Sequence, residues 1–430
     1  MDLAGVTYDI VFTDSGSGIT FQPKVTLFFW GGGVPFSGFL MRANSNGGRG
    51  YAISPTDRAC VAALNVNGVG TSVAKRAHLT DTVFCQIDTG APNVTKGRLD
   101  INALNVNGIQ LIVDESFSVD GMRFSMLGLA GDLDEAAIIQ AIMADDGCAS
   151  DPRDFTGFGF DPEFGMGIGM GDADLKVTDF ESRSNVGMFL SGVQQGAWGN
   201  SSVDGAATSA TARYEKFGDI ALVRVTDSGN VRLRQSFNAF ITDGIRLNCI
   251  EDKDDRYSML GLAGGSFHIE EFVTRTSTGT IILTPGFEVS GGFIISANSV
   301  ESLTNDDDAL PKNNSFSMGC FSGVGVGDQS CYYGFDKNGL ATTEVTSGRR
   351  ASSVYMRGDE AAAPTLVESI EVTDILATTV ELTQSVAGAT AHHCIAVLFG
   401  TRASVAPAGG GGHKEFNGIG SHAHWIRKLH

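Results

Sequence analysis

Short apolar runs recur along the chain, and almost none has the 3.6-residue spacing of an amphipathic helix. VTLFFW (25–30), CVAALNV (60–66), IQLIV (109–113), IALVRV (220–225), TIILT (280–284) and GGFIIS (291–296) stand between clusters of Gly, Asn, Asp and Ser. Runs of that length with turn residues between them predict antiparallel strands of a sandwich or jelly roll. One segment, Leu133–Ala144 (LDEAAIIQAIMA), also suits a helix. Its place in the chain matches that of Phe267–Thr274 (FHIEEFVT), and the match predicts a strand.

The pattern repeats. FSMLGLAG (124–131) and YSMLGLAG (257–264) share seven consecutive residues at an offset of 133, and HCIAVLFG (393–400) keeps the apolar run and final Gly after a further 136. Each run has an opening upstream, marked by Pro23, Pro162 and Pro285, where a residue without an N–H begins a buried strand. FSGFL (36–40), MFLSGV (188–193) and CFSGV (320–324) form a third set of landmarks. Asn107–Leu111 and Asp243–Leu247 carry an Asn-Gly or Asp-Gly hairpin signal, of which Asp374-Ile375-Leu376 keeps only the apolar end. The expected fold is therefore all-β: three tandem antiparallel β-sandwich, jelly-roll-like units spanning 1–131, 132–264 and 265–402. A Gly linker and an extended C-terminal arm follow at 403–430.

Composition narrows the function. Gly accounts for 56 of 430 residues and Pro for only 10, which suits a turn-rich β protein rather than a disordered one. A net charge of -19 argues against nucleic acid as a partner. No apolar stretch is long enough to insert in a membrane, and the N-terminus lacks a secretory pattern, so the expectation is a soluble, unexported chain. Seven scattered cysteines without a CxxC pair predict buried free thiols.

Candidate chemistry is sparse. GMGIGM (165–170) lacks the βαβ setting of a nucleotide loop and is expected to be a strand, so no cofactor is expected. His392 and His393 are adjacent and would point to opposite faces, and the acidic clusters at 132–135, 251–255 and 305–308 have no calcium-loop spacing; they are expected to be solvated turn tips, and no metal is assigned. Trp198, in the polar Gly-rich loop QQGAWGNSS, is read first as a packing residue; as an exposed aromatic it would, with Gln194 and Asn200, form the candidate ligand-binding set. In the tail, Phe416, Trp425, Ile426, Arg427 and Lys428 combine apolar and basic side chains on an otherwise acidic protein, which suggests partner docking.

The glycine-preceded FQPK with its apolar strand (Phe21–Phe29), the hairpin at Asp243–Leu247 and the closing YxxLGLxG at Tyr257–Gly264 resemble β repeats found in virion structural proteins of tailed bacteriophages. The resemblance covers 18–402 and brings no catalytic residues with it. It implies a non-enzymatic virion protein assembled in the host cytoplasm, a tail-associated appendage or surface protein with adhesion potential. Capsid decoration is the alternative and a carbohydrate-binding module the second. The partners implied are other virion proteins, further copies of the chain and a host surface glycan.

Overall fold

The computed structural model describes residues 4–400 apart from 14–17, 32–37, 41–43, 91–93, 118–123, 172–176, 179–180, 227–230, 300–312, 325–327 and 360–364. The arm, with Phe416, Trp425, Ile426, Arg427 and Lys428, lies outside the described residues.

Among the described residues every regular element is a strand. The first are β1 (Thr7–Thr13), β2 (Thr20–Phe21), β3 (Val25–Gly31), β4 (Gly38–Leu40), β5 (Asn44–Ala52) and β6 (Arg58–Val66). Then come β7 (Ala74–Leu79), β8 (Phe84–Ile87), β9 (Thr95–Asn105), β10 (Gly108–Glu115) and β11 (Phe124–Leu129). The middle of the chain forms β12 (Leu133–Met143), β13 (Arg153–Thr156), β14 (Phe164–Gly169), β15 (Val177–Thr178), β16 (Glu181–Phe189) and β17 (Gln195–Val203). It continues through β18 (Thr211–Phe217), β19 (Leu222–Val225), β20 (Val231–Ile241), β21 (Gly244–Glu251) and β22 (Asp255–Gly264). The last are β23 (Ser266–Val273), β24 (Gly279–Leu283), β25 (Val289–Ser296), β26 (Asn314–Phe321) and β27 (Gln329–Asp336). β28 (Val345–Arg350), β29 (Tyr355–Gly358), β30 (Leu366–Ile375), β31 (Val380–Val386) and β32 (His393–Gly400) complete the set. The ambiguous segment at 133–144 is thus a strand.

Six antiparallel sheets stack as three sandwiches. The first pairs an inner sheet, β11-β3-β5-β6-β7, with an outer sheet, β2-β1-β10-β9-β8, around Phe12, Phe28, Trp30 and Phe84. The second pairs β12-β22-β14-β16-β17-β18 with β13-β21-β20-β19 around Phe189, Leu222, Phe237 and Tyr257. The third pairs β23-β32-β25-β26-β27-β28 with β24-β31-β30-β29 around Phe321, Tyr355, Leu382 and Leu398. Two short strands cross over: β15 extends the first inner sheet beside β7, and β4 extends the third beside β28.

Each inner sheet turns its other face to the remaining two, and together they bury one common core that includes Phe29, Leu127, Met166, Leu260, Phe293 and Val397. Alternation along a strand explains the unbroken apolar runs: Leu127 and Leu129 point into the common core while Phe124 and Met126 point into the sandwich. Changing Leu127 or Leu260 to Ala is expected to cost about 2–5 kcal/mol in denaturant unfolding, the range for a Leu enclosed on all sides. An unchanged midpoint would place these side chains at a surface.

Two details of the expected repeat change. Phe36–Leu40 does not match MFLSGV and CFSGV; it ends in β4, on the third sheet, and the strand in the place of β16 and β26 is β5. The third closing run is also displaced by one residue, so that Ile395, not Cys394, takes the place of Ser125 and Ser258. An irregularity in β25 between Val289 and Gly291 absorbs the shift, and a one-residue shift exchanges the faces of a strand.

One glycine in each inner sheet sets the distance to its outer sheet. A Cβ at Gly50, Gly187 or Gly319 would lie 2.4, 1.8 or 2.1 Å from the carbonyl oxygen of Val83, Ala221 or Val354, the residues that precede β8, β19 and β29.

Candidate functional site at the junction of three sheets

The hairpin loops after β6, β17 and β27 read NGVGTS (67–72), DGAATS (204–209) and NGLATT (338–343), each opening on an Asn or Asp before a Gly with positive φ (Gly68, Gly205, Gly339). Glycine is needed there because a side chain strains that backbone region. The loops meet at one end of the common core and bond in a closed triangle. Ser72 N–H donates to Ala206 O, and Gly205 N–H to Ser72 O; Ser209 N–H donates to Leu340 O, and Gly339 N–H to Ser209 O; Thr343 N–H donates to Val69 O, and Gly68 N–H to Thr343 O. The hydroxyls of Ser72, Ser209 and Thr343 accept from the N–H groups of Ala206, Leu340 and Val69 at 2.9, 3.0 and 3.2 Å. Each loop is therefore tied to both others by the same three bonds, which supply partners for the buried Ser72, Ser209 and Thr343. Sequence analysis missed this motif, although the shared pattern of Asn/Asp-Gly, one residue, Gly/Ala, Thr, Ser/Thr is legible in the chain.

Below the triangle, Trp198 occupies β17 with 3% of its surface exposed and packs against Phe316, while the Arg49 guanidinium lies 4.6 Å from its ring centre and donates to Ser184 Oγ. The packing reading of Trp198 holds, and the loop setting and the alternative of an exposed, ligand-contacting aromatic are corrected: Trp198 lies in a strand, and its small and polar neighbours pack inside the junction. Asn200, on the same strand, is buried as well. Gln194 is separate from both, in the turn before β17, and its Oε1 accepts from Ile269 N–H at 3.0 Å. The structure does not unite the three as a surface site. The cavities at the junction measure about 20 and 10 Å³, room for something the size of water and not for a sugar.

Deeper in, one equivalent position on the three strands β7, β18 and β28 holds His78, Glu215 and Arg349, all buried and paired across to Val61, Trp198 and Tyr332. Each reaches a different environment. Glu215 Oε2 accepts from Ala297 N–H in the third unit at 2.7 Å, and burial raises its carboxyl well above the usual range. His78 Nε2 lies 2.8 Å from Ser258 Oγ, the spacing of a nucleophile and its base. Burial, with help from Arg256, pushes this imidazole down to about 3, and its Nδ1 has no hydrogen-bond partner to orient it. Such a histidine is a poor base, and the pair serves as a buried tie between the first and second units. Tyr51, whose hydroxyl donates to Ser258 O, reinforces it.

Other histidines and acids among the described residues are also tied to their surroundings. His392 and His393 face different carboxylates, Glu368 and Glu271, each at 2.8 Å. The 251–255 cluster lies at the turn between β21 and β22, with Asp254 exposed as expected, but two of its acids depart from a solvated tip. Asp252 accepts from the N–H groups of Cys148 and Asp146 and from Arg153, and these bonds, that from Cys148 foremost, hold its carboxyl at about 2. Asp255 is buried. The cluster at 305–308 lies outside the described residues. The thiols need a further correction: Cys148 and Cys249 form a disulfide, while Cys60, Cys85, Cys320, Cys331 and Cys394 are free and buried. A separation of 101 residues hides that pair in the sequence.

No protein-family model matches the chain, and no curated protein matches it significantly.

Proposed function

We propose that this protein is a non-enzymatic structural component of a tailed-phage particle, tail-associated, whose outward loops and basic C-terminal arm make its contacts with other virion proteins. The observation that carries the reading is the common core closed by the loop triangle. Three sandwiches that share one interior cannot move as independent tethered modules; they form a single three-sided body, suited to a fixed place in an assembly. The sequence motifs shared with phage β repeats point the same way. So does the burial of the Ser258–His78 pair, which leaves it without a route for substrate. A three-sided body also suits a threefold position on a capsid lattice, and this makes capsid decoration the second reading.

Mass spectrometry of purified particles, with an electron-microscopy map, tests both. The expected result is the chain in stoichiometric amount, with its density on the tail. Density on capsid threefolds would select the second reading, and absence from particles would overturn the virion role. Deleting 413–430 is expected to leave the body folded and to lower its incorporation; incorporation at the wild-type level would move the anchor from the arm to the β units.

A further inference from the structure

Towards the loop triangle the common core turns from apolar to polar. Two residues before each Asn-Gly or Asp-Gly stand Asn65, Ser202 and Asp336, and all three line the smaller cavity. Asn65 also lines the larger one, with Ser182, Asn200 and Asn314. All of these side chains are buried. Asn65 Oδ1, Asn200 Oδ1, Asn314 Oδ1, Ser182 Oγ and Asp336 Oδ1 have no hydrogen-bond partner. Asp336 Oδ2 accepts from Ser202 Oγ at 2.8 Å, and Ser202 Oγ accepts from Asn314 Nδ2 at 3.3 Å.

A buried carboxylate with one neutral donor is costly unless something compensates its charge. Among the described residues no cationic side chain does so. Lys337 next to it pairs with Glu344, Asp204 in the adjoining loop accepts Ala74 N–H, and Arg49, at the far end of the larger cavity, donates to Ser184. Burial accordingly pushes the Asp336 carboxyl up to about 7. A metal cation in the smaller cavity would compensate the Asp336 charge and satisfy Asn65 Oδ1 at once, whereas a water molecule is neutral and leaves the charge uncompensated.

We propose that the smaller cavity binds one desolvated monovalent metal cation, Na+ or K+, through the Asp336 carboxylate and Asn65 Oδ1, and that the ion locks the three sheets beneath the loop triangle. Charge selects the class. One carboxylate balances one positive charge, while a divalent ion would leave an uncompensated excess in a buried site. Mg2+ also holds its water too firmly to enter so small a space.

The test is thermal unfolding of the full chain at constant ionic strength and pH 8, with Na+, K+ or choline as the cation, together with a Tl+ soak of crystals. The melting temperature is expected to rise with the logarithm of Na+ or K+ concentration and not with choline, and Tl+ is expected to give an anomalous peak between Asp336 and Asn65. Asp336→Asn is expected to abolish the cation dependence and to melt higher than wild type in choline. Should that variant fail to fold, Asn65→Ala is expected to weaken the dependence. Identical wild-type melting in all three salts without a Tl+ peak would overturn the proposal in favour of water alone, and stabilisation by Ca2+ but not Na+ or K+ would overturn the monovalent assignment.

Discussion

Trp198→Ala is expected to destabilise the whole chain by about 3–5 kcal/mol, the range for removing a large aromatic from a closed core. The loss is expected at the upper end, because the indole is both the packing partner of Phe316 and the surface on which the buried Arg49 guanidinium rests. The common core also predicts how the loss is distributed. Residues of all three inner sheets meet there, so wild type is expected to unfold in one transition, and the variant's transition should shift as a unit. Guanidinium unfolding followed by far-ultraviolet circular dichroism measures this. A loss below about 1 kcal/mol, or a transition that splits so that only the second unit melts early, would show that the sandwiches are energetically separate.

Gly187→Ala is expected to cost at least about 3 kcal/mol, above the usual range for an added methyl, because the obstacle is main chain rather than a side chain that can rotate. The new Cβ would sit 1.8 Å from Ala221 O and 2.4 Å from a Leu222 methyl. Relief requires the inner and outer sheets of the second sandwich to separate, loosening the cluster of Phe189, Leu222 and Tyr257. Gly192→Ala, in the exposed turn after β16 with nothing within 4 Å, is the control and should be nearly neutral. Equal melting of the two variants would mean that the sheets stand further apart than described. The same steric argument applies to Gly319→Ala against Val354 O.

Much of the architecture is legible in the sequence because it is local. Apolar runs of strand length and Asn-Gly or Asp-Gly turns depend on backbone geometry within a few residues, and they place β3, β10, β11, β21 and β22 correctly. The strand at Leu133–Met143 is legible only by comparison with Phe267–Thr274, since its own spacing suits a helix equally. Register is less local: the bulge in β25 displaces the third closing run by one residue, and apolar residues on both faces leave no alternation from which to detect the shift.

By itself the sequence determined the all-β class, the closing strands and the positions of the turns. Only the tertiary structure decided that Trp198 and Asn200 are interior, that Cys148 meets Cys249, and that three similar turns, 137 and 134 residues apart, bond to one another. The physical reason is that a polar residue can be buried when partners from distant segments satisfy it. In QQGAWGNSS the side chains beside the indole are small or hydrogen-bonding, which reads as a solvent-exposed loop until two other sheets close over it. Strand-forming tendency is carried by neighbours along the chain, whereas burial at a junction depends on loop closures spanning more than a hundred residues, which no local pattern encodes.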